Sequence, residues 1–302
     1  MGDLSIFYVS FDEPWRQEFF ADLRAKAPLA ENVHGVTGHD NAIKECARRS
    51  RTDRFLVVDA DNLVRPELLD FVVDDTNLTD TSFSFSGHNV VNGLEYGNGG
   101  VTCWTRNTAL TMRTHAAAVD ERADVDFCWA TPTFVTGKLG SDVHIARTPY
   151  HAFRAGYREG VKMTLLDGVK LDSLTEVQQV AEESNWNRLL IWTSVGADVE
   201  NGAWAVFGAR QGLWDIWVEA FPTTLINDYG WFTKCWESWS KESPVEASTA
   251  LGTELNRRFD LGLQDLSPSA SRWVKRIYRN SRWSGLIDVG YGQAPTSLSD
   301  AA

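Results

Sequence analysis

A short apolar run that ends in two carboxylates constrains this chain more than any other feature. Arg54-Phe55-Leu56-Val57-Val58 is followed at once by Asp59-Ala60-Asp61-Asn62. The run is continuous rather than alternating and rich in aromatic and β-branched residues, which predicts a strand buried on both faces. Two anions directly behind such a strand are costly in a core. In an open α/β sheet, however, the carboxyl end of a strand is where ligands bind. Carboxylates placed there can hold a hard divalent cation that fills its other positions with water and phosphate oxygens. A solvated turn is the competing reading of the same residues.

The segments around that strand predict its setting. Leu4 to Phe11 reads as a strand, and Asp12-Glu13-Pro14 opens a helix from about Trp15 to Lys26. Asn32 to Val36 is a weaker strand, and Asp40 is placed to cap a helix through Arg49. Ser82 to Phe85 and Val101 to Thr105 look extended. Between them, Asn92 to Gly100 is too rich in Gly and Asn for a regular element. This order predicts an α/β domain, a mostly parallel sheet with helices on both faces, over residues 1–163. Residues 164–290 read as a helical carboxy-terminal region, with helices at Leu174 to Trp192, Gly202 to Trp217, Glu246 to Arg258 and Pro268 to about Tyr278. Residues 291–302 read as a flexible tail.

Composition narrows the function classes. Of the 302 residues, 43% are hydrophobic and 23% charged, as in a soluble globular protein. No apolar run approaches bilayer length and no signal peptide is visible, so a cytoplasmic protein without a membrane span is expected. The four cysteines have no zinc or dithiol spacing. With 29 basic and 41 acidic residues the net charge is −12, which argues against non-specific coating of nucleic acid or anionic membrane. A local basic groove remains compatible with that charge. The 13 tryptophans lie mostly beyond residue 180. Trp186, Trp192, Trp204, Trp214 and Trp217 have core-like helical spacing, while Trp231 or Trp236 could face a ligand.

Three further groups carry potential chemistry. In a helix starting near Pro149, Arg154, Arg158 and Lys162 recur every fourth residue and share one face. Such a stripe suits a diphosphate or a DNA backbone, or is an ordinary solvated face relieved by Glu159. Arg272, Lys275, Arg276 and Arg279 form a second basic face after Pro268. Asp124 and Asp126 flank Val125 before an apolar run, so one carboxylate could project into a dry cleft as a general base. Asp126 is preferred because it adjoins the aromatic residues. Gly97-Asn98-Gly99-Gly100 either allows a close backbone approach to a ligand or makes a tight turn.

The βαβαβ start, the strand ending in Asp59-Ala60-Asp61 and the downstream glycine-rich turn together resemble the GT-A class of glycosyltransferases. The resemblance covers roughly residues 4 to 163 and is closest to family-2-like enzymes that use nucleotide sugars. Asn92 to Trp104 (NGLEYGNGGVTCW), Asp124 to Cys128 (DVDFC) and Thr148 to Met163 (TPYHAFRAGYREGVKM) are similar to glycosyltransferase-like proteins of bacteriophages. Some of those are thought to decorate hydroxymethylated DNA bases.

The resemblance implies a donor such as a UDP-sugar and a Mn2+ or Mg2+ ion. Asp61 would ligate the metal and Asp59 would contact it or the ribose, although Asp59 also fits a simple turn cap. His151 stands where a late histidine completes the metal shell in many such enzymes, or is structural. Ser10, Phe11 and Asp12 would lie by the nucleotide base, and Lys44, Arg154, Arg158 and Lys162 would reach the nucleotide. The implied acceptor is a 5-hydroxymethyl pyrimidine in DNA, with the host cytoplasm as the setting for a phage-encoded chain. A glycan or small-molecule acceptor is the alternative. A haloacid-dehalogenase-like phosphohydrolase and a non-catalytic carbohydrate- or nucleic-acid-binding module are the rival classes.

Overall fold

The computed structural model describes residues 1–72, 78–114, 118, 125, 131–180 and 183–280. By contacts the chain divides into two units. The first is Met1–Asn89 with Glu95–His144, and the second is Val90–Leu94 with everything from Ile145 onward. Where the sequence places its change of character near 163, this division falls after His144. The helix Pro149–Lys162 packs with later helices, so it joins them. Among the described residues, no helix is long and apolar enough to cross a membrane.

The first unit opens with β1 (Ser5–Ser10), α1 (Arg16–Lys26), β2 (Glu31–His34), α2 (His39–Arg49) and β3 (Arg54–Asp59). It continues with β4 (Asn62–Val64), α3 (Pro66–Leu69), β5 (Ser82–Asn89), β6 (Glu95–Thr105), α4 (Arg106–Thr111) and β7 (Thr133–Val143). The sheet order is β2-β1-β3-β6-β5-β7-β4. β1 pairs in parallel with β2 and β3, and β5 pairs in parallel with β7. β6 is antiparallel to both β3 and β5, and β4 is antiparallel to β7. The sheet is therefore mixed rather than mostly parallel. Only β4 and β6 are reversed, so β1, β2, β3, β5 and β7 all present their carboxyl ends to one edge.

Period-two alternation sorts the strand residues between two cores. Ile6, Tyr8, Leu56 and Val58 pack with Trp15, just before α1, and with Phe19 and Leu23 of α1. Phe7, Phe55 and Val57 pack on the other face with Ile43, Cys46 and Ala47 of α2 and with Ala109 of α4. The expected helices on both faces are present. Gly97 to Gly100, by contrast, lie inside β6 instead of an irregular turn. At Gly97 and Gly100 the strand needs glycine, because a Cβ on Gly97 would strike Val135 and one on Gly100 would strike the Asn62 amide. Asp40 is not the cap of α2. The N-cap is Gly38, and the buried Asp40 carboxylate accepts from the Thr114 backbone N–H and hydroxyl.

The second unit is helical: α5 (Pro149–Lys162), α6 (Leu174–Val180), α7 (Glu183–Trp192), α8 (Gly202–Trp217), α9 (Tyr229–Trp239), α10 (Pro244–Phe259) and α11 (Pro268–Asn280). Its centre is the crossing of α5 and α8. Cβ atoms on Gly156 or Gly160 would overlap the carbonyls of Ala205 or Ala209, and one on Gly208 would overlap that of Phe153. The two backbones touch because these positions are glycine. Arg210 is fully buried nearby and donates to the carbonyls of Thr193, Ser248 and Gln264 and to Asp265.

Candidate functional site

The topology of β1, β2 and β3 marks one position on the carboxyl edge of the sheet. From β1 the chain passes through α1 to β2 on one side, then through α2 to β3 on the other. The order reverses at β1, and in such sheets ligands bind outside the carboxyl ends at that point. Val9 lies opposite Asp59 in the register. Ser10, Phe11 and Asp12 thus leave β1 beside the Asp59-Ala60-Asp61 turn.

That turn is held at several points. The Ala60 carbonyl accepts from the Tyr8 hydroxyl at 3.0 Å and from the Trp15 indole N–H at 2.8 Å. The His144 backbone N–H donates to the Asp61 carbonyl at 2.7 Å. Asn62 Nδ2 donates to Asp61 Oδ1 at 2.6 Å, and Asn62 Oδ1 accepts from Ser141 Oγ at 2.6 Å. The contacts to the Ala60 and Asp61 carbonyls fix backbone, while the Asn62 amide engages one oxygen of the Asp61 carboxylate itself. Asp59 and Asp61 themselves remain partly exposed.

The electrostatics of this edge are negative. Burial raises the Tyr8 hydroxyl well above the ordinary tyrosine range, and the charges of Glu13, Asp61 and Asp59 raise it further, with Arg16 opposing them. Carboxylates close enough to disfavour a phenolate favour a cation for the same Coulombic reason. Among the described residues, no group of three or more His, Cys, Asp or Glu side chains is arranged to hold a metal. Two carboxylates with water and phosphate oxygens are the donor set that Mg2+ usually takes.

The remaining expected residues are placed as follows. Ser10 is buried, with its hydroxyl on Asn32 Oδ1 at 3.2 Å and His34 Nδ1 at 3.0 Å, while Phe11 and Asp12 are exposed. Lys44 reaches Asp40 at 3.8 Å. His151, Arg154, Arg158 and Lys162 all lie on α5 in the second unit. His151 is buried against Thr148, the N-cap of α5, with Nδ1 at 2.7 Å from its hydroxyl. Within the basic stripe, Arg158 and Lys162 are half-buried. Arg154 is only 8% exposed and lies between the rings of Tyr150 and Tyr229. Trp231 and Trp236 are half-buried in an aromatic cluster with Tyr157, Phe153 and Trp204. In α11, Lys275 is paired with Asp198 at 2.8 Å, which removes it from the expected phosphate track, while Arg272 and Arg276 are exposed. Asp124 and Asp126 lie outside the described residues.

No protein-family model and no curated protein sequence matches the chain. The supports of the turn, Tyr8, Trp15, Ser141 and His144, carry no recognisable motif in the sequence.

Proposed function

We propose that the chain is a nucleotide-sugar-dependent glycosyltransferase whose donor diphosphate is bound at the Asp59-Ala60-Asp61 turn. The observation that carries this reading is the turn itself: two partly exposed carboxylates on a braced backbone, at the carboxyl edge where the strand order reverses. Asp59 and Asp61 would hold a Mn2+ or Mg2+ ion, which supplies Lewis-acid stabilisation of the charge developing on the departing diphosphate. Tyr8, Trp15 and His144 fix the backbone that carries the carboxylates, which limits the reorganisation needed when substrate arrives. Phe11 and Asp12 stand ready to meet the nucleoside.

A UDP-linked sugar is the proposed donor. A 5-hydroxymethyl pyrimidine in DNA is the proposed acceptor, supported by the resemblance of three segments to phage proteins and by the exposed Arg272 and Arg276 on α11. The test is a thermal-shift screen of UDP-sugars with and without manganese, followed by a mass assay on hydroxymethylated DNA. Asp61→Asn should leave unfolding in the absence of ligand unchanged, abolish the manganese-dependent shift and lower transfer by about a hundredfold or more. Retained transfer with ordinary manganese dependence in Asp61→Asn would sink this reading.

A further inference from the structure

Arg158 is an unusual cation for so acidic a chain. It is half-buried on α5, with its guanidinium 5.8 Å from the centre of the Tyr229 ring and Nη1 donating to the Tyr229 hydroxyl at 3.4 Å. Among the described residues its Nε has no hydrogen-bond partner and no carboxylate pairs with it. One helical turn earlier, the Arg154 guanidinium stands 4.2 Å from the Tyr229 ring and 5.1 Å from the Tyr150 ring. The Tyr150 hydroxyl meets Thr233 Oγ1 at 3.4 Å. The neighbouring Asp228 carboxylate is engaged as the cap of α9, accepting from the Trp231 N–H at 2.8 Å.

With 41 acidic against 29 basic residues, carboxylates are the abundant partners in this chain. An aromatic face holds a guanidinium in place without cancelling its charge or occupying its in-plane donors. The Tyr229 ring lies near both guanidinia, and its hydroxyl takes one donor of Arg158. We propose that Arg158, with Arg154 beside it and Tyr229 holding both, forms a binding site for a phosphate group. The Nε of Arg158 is buried, and its two terminal nitrogens offer parallel bonds to phosphate oxygens. The second cation follows at about 6 Å along the helix, a spacing suited to linked phosphates. Hydroxyls of Tyr150, Tyr229 and Thr233 add neutral donors. The site lies within the second unit and does not rest on the metal reading.

The phosphate could belong to a diphosphate or to a nucleic-acid backbone, and the test separates them. The full chain, without divalent cation, is titrated by calorimetry with inorganic pyrophosphate and, separately, with a short oligothymidylate. At least one should bind, with affinity that falls as salt rises. Arg158→Gln should weaken that ligand by about tenfold or more, the loss of one charge-assisted bond. Arg158→Lys should recover only part, since it restores charge but not the fork. Tyr229→Leu removes no charge, yet should weaken binding comparably because both guanidinia lose their platform. Unfolding temperatures of the variants check that the fold is intact. Pyrophosphate binding alone assigns the site to a diphosphate, and oligothymidylate binding alone assigns it to a nucleic-acid backbone. If neither binds, or if Arg158→Gln and Tyr229→Leu bind as the parent does, the proposal is overturned.

Discussion

Asp215 shows how a single buried side chain sets a property of its surroundings. Its carboxylate accepts from the Tyr157 hydroxyl at 2.9 Å and from Gln211 Nε2 at 2.7 Å. Burial nevertheless pushes its pKa up from 3.8 to about 6, against the lowering effect of those two bonds. The folded protein therefore binds a proton more tightly here than the unfolded chain does. The contribution to stability is largest below the unfolded value and is lost as pH rises through about 6. Two pKa units correspond to roughly 3 kcal/mol. Asp215→Asn should remove this component, so the stability difference between variant and parent should change by up to that amount between about pH 4 and pH 7. Urea midpoints measured at both ends of that range would show it, and parallel curves for the two proteins would refute the assignment. The same scale shows what sequence could reveal of the site. Asp59 and Asp61 were legible because an apolar strand stops at them. Tyr8 and Trp15 were not, because the carbonyl they share belongs to Ala60, a residue with no polar side chain to draw attention.

At the scale of elements, the contact of α5 with α8 is the sharpest commitment in the second unit. A methyl group at Gly156 would have to enter the space of the Ala205 carbonyl, and backbone cannot yield as a flexible side chain can. Overpacking of a tight core costs typically 1–3 kcal/mol, and Gly156→Ala should reach about 3 kcal/mol. Ser238→Ala, exposed on α9, should stay within about 0.5 kcal/mol of the parent. Chemical denaturation of the two variants decides it. Glycine also explains which elements could be read in advance. β3 and α8 match the expected ranges because their apolar patterns are unbroken. β6 begins earlier than expected, since Gly97 to Gly100 look like a turn until the side chains of Val135 and Asn62 are seen beside them. β7, carrying Gly137 and Gly140, escaped notice for the same reason, and β4 has only three residues. Strand direction depends on pairing partners distant in sequence, so local pattern gave no warning that β6 and β4 are reversed.

The whole molecule holds two cores whose sequence boundaries do not nest simply. Each unit buries its own apolar clusters, so denaturation need not follow a single two-state transition. The second unit also draws on five residues, Val90–Leu94, that the chain supplies between two strands of the first. Val91 and Leu94 are fully buried, and Gly93 leaves just enough room for the Lys275 side chain. This interleaving governs the order of assembly during synthesis. The ribosome releases one piece of the second core some fifty residues before the rest, as the positions 94 and 145 imply, and that piece must wait for its partners. A fragment spanning 145–280 alone has no way to restore the missing wedge. Expressed on its own, it should show helical circular dichroism with a broad, weakly cooperative melt. A sharp melt matching that of the full chain would mean that the wedge is dispensable.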